Sequence, residues 1–402
     1  MIAKISRNKN ICLLSSVPIT LRSFYGNLIR QLKADNFTVT LIASDLPELH
    51  ELKKEFGCTI FPVQISRRIS PFQDIRTIYK LWRHFRLKRY EIIHAHTPKG
   101  GFVGMVASSF AHVTNRIYTV HGLLLETSRG PRRWLLWSAE ALACKLATTV
   151  LAVSPSLKQK IQEEKLCVEG KIQVLGKGSA CGVNLTTFNP TRNWMAEGQE
   201  IRGKYGIPKE ATVIGFVGRI VPDKGIRTLV DAFERLQHKV PESYLLLVGE
   251  FDNARETLDA ETMSIIEKNS HIICNGQFID NVLPFYSAMD MVTLPSKREG
   301  FGLTLLEAAA MELPTIATKV TGCVDAVVDN ITGLLVEVDS IPQLYDAMLL
   351  LAQNPKLRRK LGQQGRQRTM ETYSSELLVN EHIKLYKSLL AQRDKHAYSL
   401  AC

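Results

Sequence analysis

A strand, loop and helix near residue 300 constrain the fold of this chain more than any other stretch. An extended apolar run, Met291 to Leu294, leads into Arg298-Glu299-Gly300-Phe301-Gly302-Leu303-Thr304-Leu305-Leu306-Glu307. An Ala-rich apolar run, Leu303 to Met311, follows. A short apolar run, a glycine-marked turn and a longer apolar run read as strand, loop and helix. Gly300 and Gly302 let the backbone approach a ligand closely. The amides that open the helix have no partner within it and carry the positive end of its dipole. That end suits a phosphate. Glu307 lies about one and a half turns into the helix, at about 3.6 residues per turn. It interrupts an apolar face, where a carboxylate is costly without a partner. Taken singly, either glutamate would read as a surface salt-bridge residue. Bracketing a phosphate-friendly turn, the pair fits a ligand with hydroxyls on both sides of a diphosphate, which is the shape of a nucleotide-sugar.

The same punctuation recurs along the chain and predicts an α/β protein of two doubly wound domains. A length of 402 residues also favours two cores over one. Ile11 to Ser15, Phe37 to Ile42 and Thr59 to Val63 read as strands, with helices around Leu28 to Leu32 and from Leu46 to Phe56. Ile92-Ile93 ends a strand before His94-Ala95-His96-Thr97-Pro98-Lys99, and Ile117 to Val120 is a strand ending at His121. Residues 189–200 are polar and weakly patterned, so the linker is placed there. The first domain then spans 1–188 and the second 201–375, with 376–402 as a last helix and tail. Val213 to Val217 opens the second domain; Tyr244 to Val248 and Pro314 to Ala317 continue its sheet. Open α/β sheets bind ligands at the carboxyl ends of their strands. This rule singles out His94, His96, Lys99 and His121, although a lone histidine there also fits a satisfied structural residue.

Charge divides the chain. Residues 1–190 hold 27 Lys+Arg against 12 Asp+Glu, a net of +15; the remainder holds 24 against 27, a net of −3. A basic half beside a near-neutral one points to an anionic surface or substrate on one side. The run Ile75 to Tyr90 carries Arg76, Lys80, Arg83, Arg86, Lys88 and Arg89, while Ile75, Ile78, Tyr79, Trp82 and Phe85 recur at helical spacing. This is either a surface helix with solvated charge or one that meets anionic lipid headgroups. Arg129 to Trp137 mixes cations with tryptophans in the same manner. No nucleic-acid module accompanies these cations, so nucleic acid is not an expected partner. No apolar stretch reaches about 18 residues, the length of a membrane span. The eight cysteines form no Cys-x-x-Cys pair, which argues against a zinc or redox site.

The Glu299…Glu307 spacing with Gly-Phe-Gly between resembles the signature of retaining glycosyltransferases of family 4, whose two facing Rossmann-like domains form the GT-B fold. Gly218-Arg219…Lys224-Gly225 is similar to the family's Gly-Arg…Lys-Gly turn, and Gly182-Val183-Asn184 to its Gly-Val-Asp stretch, with Asn184 in place of the acid. The first strand-to-helix loop, Ser15 to Arg22, departs from the glycine pair that many members carry. The resemblance implies that Arg219 and Lys224 bind the donor diphosphate. Amides at Gly300, Phe301 and Gly302 hold its distal phosphate, Glu299 holds the sugar and Glu307 the ribose. The loop at Phe278 cradles the base, and His121 reaches the reaction centre. The His94–Lys99 stretch is similar to the branch that builds polyprenyl-diphosphate-linked glycans, which assigns His94, His96 and Lys99 to the acceptor.

The implied activity is retaining, metal-independent transfer from a nucleotide-sugar, UDP-linked by expectation, to a polyprenyl-diphosphate-linked saccharide in bacterial surface polysaccharide synthesis. The nucleotide-sugar is a substrate, so no cofactor and no metal are expected. An anionic membrane surface is the expected partner of the basic half, with the protein in the cytoplasm, peripheral on the inner face of the plasma membrane. Two other classes fit the sequence. One is a UDP-sugar 2-epimerase of the same fold, which would convert donor alone. The other is a non-catalytic membrane-associated partner, which would not bind UDP.

Overall fold

The computed structural model describes residues 9–68, 70–190, 194–252 and 257–399. The sequence readings that fall on 1–8, on 191–193 within the expected linker and on Cys402 lie outside these residues. Contacts divide the chain into one unit of 1–181 with 375–402 and a second of 182–374.

In the first unit strands and helices alternate: β1 (Lys9–Leu14), α1 (Pro18–Ala34), β2 (Phe37–Ala43), α2 (Pro47–Phe56), β3 (Thr59–Pro62), α3 (Pro71–Lys88), β4 (Ile92–His96), α4 (Pro98–Phe110), β5 (Asn115–Val120), α5 (Gly130–Leu146), β6 (Thr149–Ala152), α6 (Pro155–Glu163) and β7 (Ile172–Gln173). The second unit continues with α7 (Trp194–Lys204), β8 (Thr212–Val217), α8 (Ile226–Lys239), β9 (Ser243–Val248), α9 (Ala260–Lys268), β10 (Ile272–Cys274), α10 (Leu283–Ala288), β11 (Met291–Leu294), α11 (Leu303–Ala310), β12 (Thr315–Thr318), α12 (Cys323–Ala326), β13 (Gly333–Val336), α13 (Ile341–Gln353) and α14 (Pro355–Thr372). The last helix, α15 (Ser375–Ser399), belongs to the first unit, where Ile383 and Tyr386 join the core formed by α1, β1 and β2.

Both sheets are parallel. Their orders are β3-β2-β1-β4-β5-β6-β7 and β10-β9-β8-β11-β12-β13. The central strands are buried along their length, as parallel strands covered on both faces must be. In each sheet the winding direction reverses once, between β1 and β4 and between β8 and β11. A ligand crevice opens at such a reversal, beyond the carboxyl ends of the two strands. The topology therefore marks Leu14-Ser15 with His96-Thr97, and Val217-Gly218-Arg219 with Leu294 to Gly302.

Two local readings change. Residues 194–204, of which 194–200 lie in the stretch expected as a linker, form α7 and pack into the second unit. A Cβ on Gly198 would lie 2.3 Å from the Ser287 carbonyl oxygen, so only glycine lets α7 approach α10 this closely. Buried Arg202 donates to the carbonyls of Ala288, Lys209 and Ala211 and to Asp290. Helix α3 buries Asp74, Thr77, Leu81 and Phe85, and leaves Phe72 86% and Ile75 64% exposed with Tyr79 beside them. Its core stripe is thus rotated from the one expected. Helix α4 includes Lys99, Gly100 and Gly101, and a Cβ on Gly101 would meet the Tyr118 ring at 2.1 Å, so glycine lets the helix lie close to β5.

Candidate functional site

The second unit builds its site at the β8/β11 reversal. Chain leaving β8 passes Gly218, at φ 151°, and reaches Arg219, whose guanidinium donates to Asp252 at 2.8 Å. A short helical turn, Pro222–Lys224, ends at Gly225 in the left-handed region, φ 71°. A Cβ there would meet the Pro295 carbonyl at 2.0 Å, so this turn lies directly on the end of β11. Two reciprocal ion pairs then join the loops. Lys224 pairs with Glu299, and Arg298 pairs with Asp223 at 2.6 Å. The Lys297 amide adds a bond to the Asp223 carbonyl at 2.8 Å. Ser296 donates to Oε1 of Glu299 at 2.7 Å, the same oxygen that receives Lys224, so neither bond uses Oε2.

Helix α11 starts at this junction. Its N-cap is Gly302, left-handed at φ 78°, and no side chain caps it. Thr304 ties the first turn to the Val217 carbonyl at 3.2 Å. The loop at Gly322, φ 80°, is pressed against the turn: a Cβ there would lie 2.5 Å from the Gly300 carbonyl carbon. The Phe301 ring is buried edge-on to Tyr373, with centroids 5.2 Å apart, so this residue offers the site its backbone only. Glu307 is partly buried and accepts from the Tyr286 hydroxyl at 2.8 Å. Burial raises its pKa, and the Tyr286 bond opposes that rise. Arg219, Lys224, Glu299, the Gly300–Gly302 turn and Glu307 are therefore set in one pair of strand ends and the helix that follows. Phe278, 55% exposed, stands in the loop after β10. Among the described residues no group of three or more His, Cys, Asp or Glu is placed to hold a metal ion.

This arrangement offers two cations, uncapped helix amides and two carboxylates. Lys224 spends one of three N–H donors on Glu299, and Arg219 one N–H of five on Asp252. The carboxylates hold the cations in place while donors remain for an anion.

In the first unit, Ser16 and Thr97 meet at 3.0 Å across the β1/β4 reversal. His94 and His96 are fully buried. His94 is bonded to Tyr386 of α15 and to Thr119, and His96 stacks on Tyr25 of α1. Lys99 is ion-paired with buried Asp74 at 2.5 Å, so its charge is matched inside the unit. His121 is only partly covered, and burial with nearby His382 lowers its pKa to about 4. Phe24 stacks on it at 5.5 Å, and Tyr25 meets its Nε2 at 3.2 Å. Tyr25, Tyr286 and Tyr386 were not among the expected site residues. Each contacts an expected one, and no motif in the sequence marks them.

Residues 197–368 match the family described as Glycosyl transferases group 1, and residues 23–178 match Glycosyltransferase Family 4. The chain is 32% identical over 367 residues to the capsular polysaccharide biosynthesis glycosyltransferase CapM of Staphylococcus aureus, covering 91% of this chain and 94% of that protein. It is 25% identical over 319 residues to the UDP-Gal:alpha-D-GlcNAc-diphosphoundecaprenol alpha-1,3-galactosyltransferase of Escherichia coli, covering 78% and 80%. Among solved structures, a glycosyltransferase from Rickettsia africae matches with TM-score 0.78 at 21% identity, covering 96% and 99%. Anabaena HepE, in complex with UDP and glucose, matches with TM-score 0.78 at 18% identity, covering 95% and 100%. These two likenesses bear on the fold.

Proposed function

Because this chain belongs to the family-4 glycosyltransferases and has their GT-B fold, we propose that it transfers a sugar from a UDP-linked donor to a polyprenyl-diphosphate-linked saccharide. The product serves bacterial surface polysaccharide synthesis. One observation carries the donor half of this reading: Arg219 and Lys224 stand beside the uncapped start of α11, at the strand reversal of the second unit. A departing nucleoside diphosphate gains negative charge there. Fixed cations and amides aimed at developing charge are among the largest contributions an active site makes. They supply the neutralisation for which other transferases use a divalent ion. Glu299, through Oε2, receives sugar hydroxyls, and Glu307 receives the ribose.

Transfer proceeds with retention and without a protein nucleophile. The acceptor hydroxyl attacks the face the diphosphate leaves, and the leaving phosphate takes its proton. His121, neutral at physiological pH, meets the donor sugar. The acceptor half is supported by the +15 charge of residues 1–190, by the functions of the two relatives, and by the exposed Phe72, Ile75 and Tyr79 among the cations of α3. Apolar side chains flanked by lysine and arginine suit an anionic lipid surface. No helix among the described residues is long and apolar enough to cross a membrane. We place the protein at the cytoplasmic face of the plasma membrane, held peripherally.

UDP release from a panel of UDP-sugars, with and without polyprenyl-diphosphate-linked saccharide and in EDTA, tests the proposal. Release that requires both one sugar and the lipid supports it. Release independent of the lipid, or an epimer formed from donor alone, overturns it.

A further inference from the structure

Beneath His121 lies a cluster of buried polar groups. The Tyr386 hydroxyl, on α15, is 2.5 Å from Nδ1 of His94. Nε2 of His94 is 2.6 Å from the Thr119 hydroxyl. The Tyr25 hydroxyl is 3.2 Å from Nε2 of His121. Tyr386, His94, Thr119 and Tyr25 are 2% exposed or less. Burial keeps both tyrosines protonated and the histidines neutral.

The Tyr25–His121 bond can run in one of two directions. Neutral histidine has one donor and one acceptor nitrogen, and each hydroxyl has one proton to give. If His121 donated to Tyr25, the buried Tyr25 proton would have no acceptor, since His121 is its only hydrogen-bond partner among the described residues. An unsatisfied buried donor costs about 1–3 kcal/mol. In the opposite direction Tyr25 gives its proton to Nε2. His121 is then protonated on Nδ1, the nitrogen on the side away from Tyr25.

We propose that Tyr25 is a positioning residue, fixing His121 in the neutral tautomer that presents Nδ1–H as a hydrogen-bond donor to the sugar. Packing supports the role. Tyr25 stacks on His96 at 4.0 Å, and Phe24, the residue before it, stacks on His121. Two neighbours on α1 therefore fix both the plane of the imidazole and its proton. His382, which donates its Nδ1–H to the Leu378 carbonyl at 2.8 Å, closes the cluster from α15. The proposal rests on the reading that His121 meets the donor sugar.

The test uses the whole protein labelled with 15N at histidine, with long-range proton–nitrogen correlation spectra beside transfer kinetics. His121 is assigned by the signals lost in His121→Ala. We expect wild-type His121 to be neutral and protonated on Nδ1. Tyr25→Phe keeps the ring on His96. It should move the His121 nitrogens toward the other tautomer. Tyr25→Phe should lower kcat about tenfold, the weight of one aligned hydrogen bond, with the donor KM unchanged. A wild-type His121 protonated on Nε2, or an unmoved signature in Tyr25→Phe, overturns the proposal. If His121→Ala is impaired and Tyr25→Phe is not, positioning alone fails. If His121→Ala transfers normally, the reading of His121 as a sugar contact fails, and the spectra still decide the tautomer.

Discussion

Removing the Tyr286 hydroxyl should make nucleotide binding sensitive to acid. Tyr286 is fully buried, and its hydroxyl gives Glu307 a hydrogen bond at 2.8 Å. Burial already pushes the Glu307 pKa up, and this donor opposes the rise. A hydrogen bond to a charged group is worth about 1.5–3 kcal/mol. Tyr286→Phe removes it and leaves the carboxylate in the same apolar surroundings, so protonation becomes easier. On the proposed reading of Glu307 as the ribose ligand, its charged form accepts from the hydroxyls more strongly than the protonated form. Affinity for UDP should therefore fall as pH falls. At about 1.4 kcal/mol per tenfold, the full loss corresponds to about 10- to 100-fold in Kd. Titration calorimetry with UDP at pH 8 and pH 6 reads this directly. The variant should bind close to wild type at pH 8 and far more weakly at pH 6, while wild type changes less. Glu307→Gln should bind weakly at both pH values. A Tyr286→Phe protein with the wild-type pH dependence would refute the coupling of this tyrosine to the nucleotide.

Other outcomes follow from the same geometry. Arg219→Ala and Lys224→Ala should each lower kcat about 10²–10³-fold, the cost of one positioned charge at a developing oxyanion, measured by UDP release. Phe72→Glu with Ile75→Glu should abolish sedimentation with anionic vesicles. It should change stability by no more than about 0.5 kcal/mol per site, because both side chains are exposed. Acid should unfold the protein through its buried histidines. Burial lowers the pKa of His94 and His96, and brings His121 and His382 to about 4, against about 6.5 when unfolded. Their stabilisation is complete above 6.5 and is lost as pH falls toward 4, at about 1.4 kcal/mol per pH unit for each histidine. Urea midpoints at pH 7.5 and 5.0 should differ accordingly; equal midpoints would contradict the burial of these rings as neutral species.

The sequence announces what the backbone must do and is silent on what long-range packing decides. Gly218, Gly225 and Gly302 stand where positive φ lets strand ends turn into the site, so the β8 and β11 turns are legible as pattern. The alternation of apolar strands and helices likewise announces both parallel sheets. Helix α14 is not announced. Its sequence is polar and holds Gly362 and Gly365, which read as breakers. In the fold a Cβ on Gly362 would meet the Glu312 carbonyl at 1.9 Å, so that glycine is a notch that admits the end of α11. The same limit hides Tyr25, Tyr286 and Tyr386, whose partners lie 96, 21 and 292 residues away along the chain. It also hides the packing of His94 and His96, which are fully buried against Tyr386 of α15 and Tyr25 of α1. On α3, periodicity finds the helix, and only the pairing of Asp74 with Lys99 tells which face is core.

The most direct test is the product itself. Wild-type protein, the UDP-sugar it accepts and a polyprenyl-diphosphate-linked saccharide should be incubated in EDTA, and the lipid product analysed by mass spectrometry and proton NMR. The account predicts a lipid-linked glycan heavier by one sugar, with the anomeric configuration that the sugar had in the donor. An inverted linkage would contradict the mechanism proposed for Arg219, Lys224 and Glu299. An unchanged lipid beside tight UDP binding would contradict the acceptor.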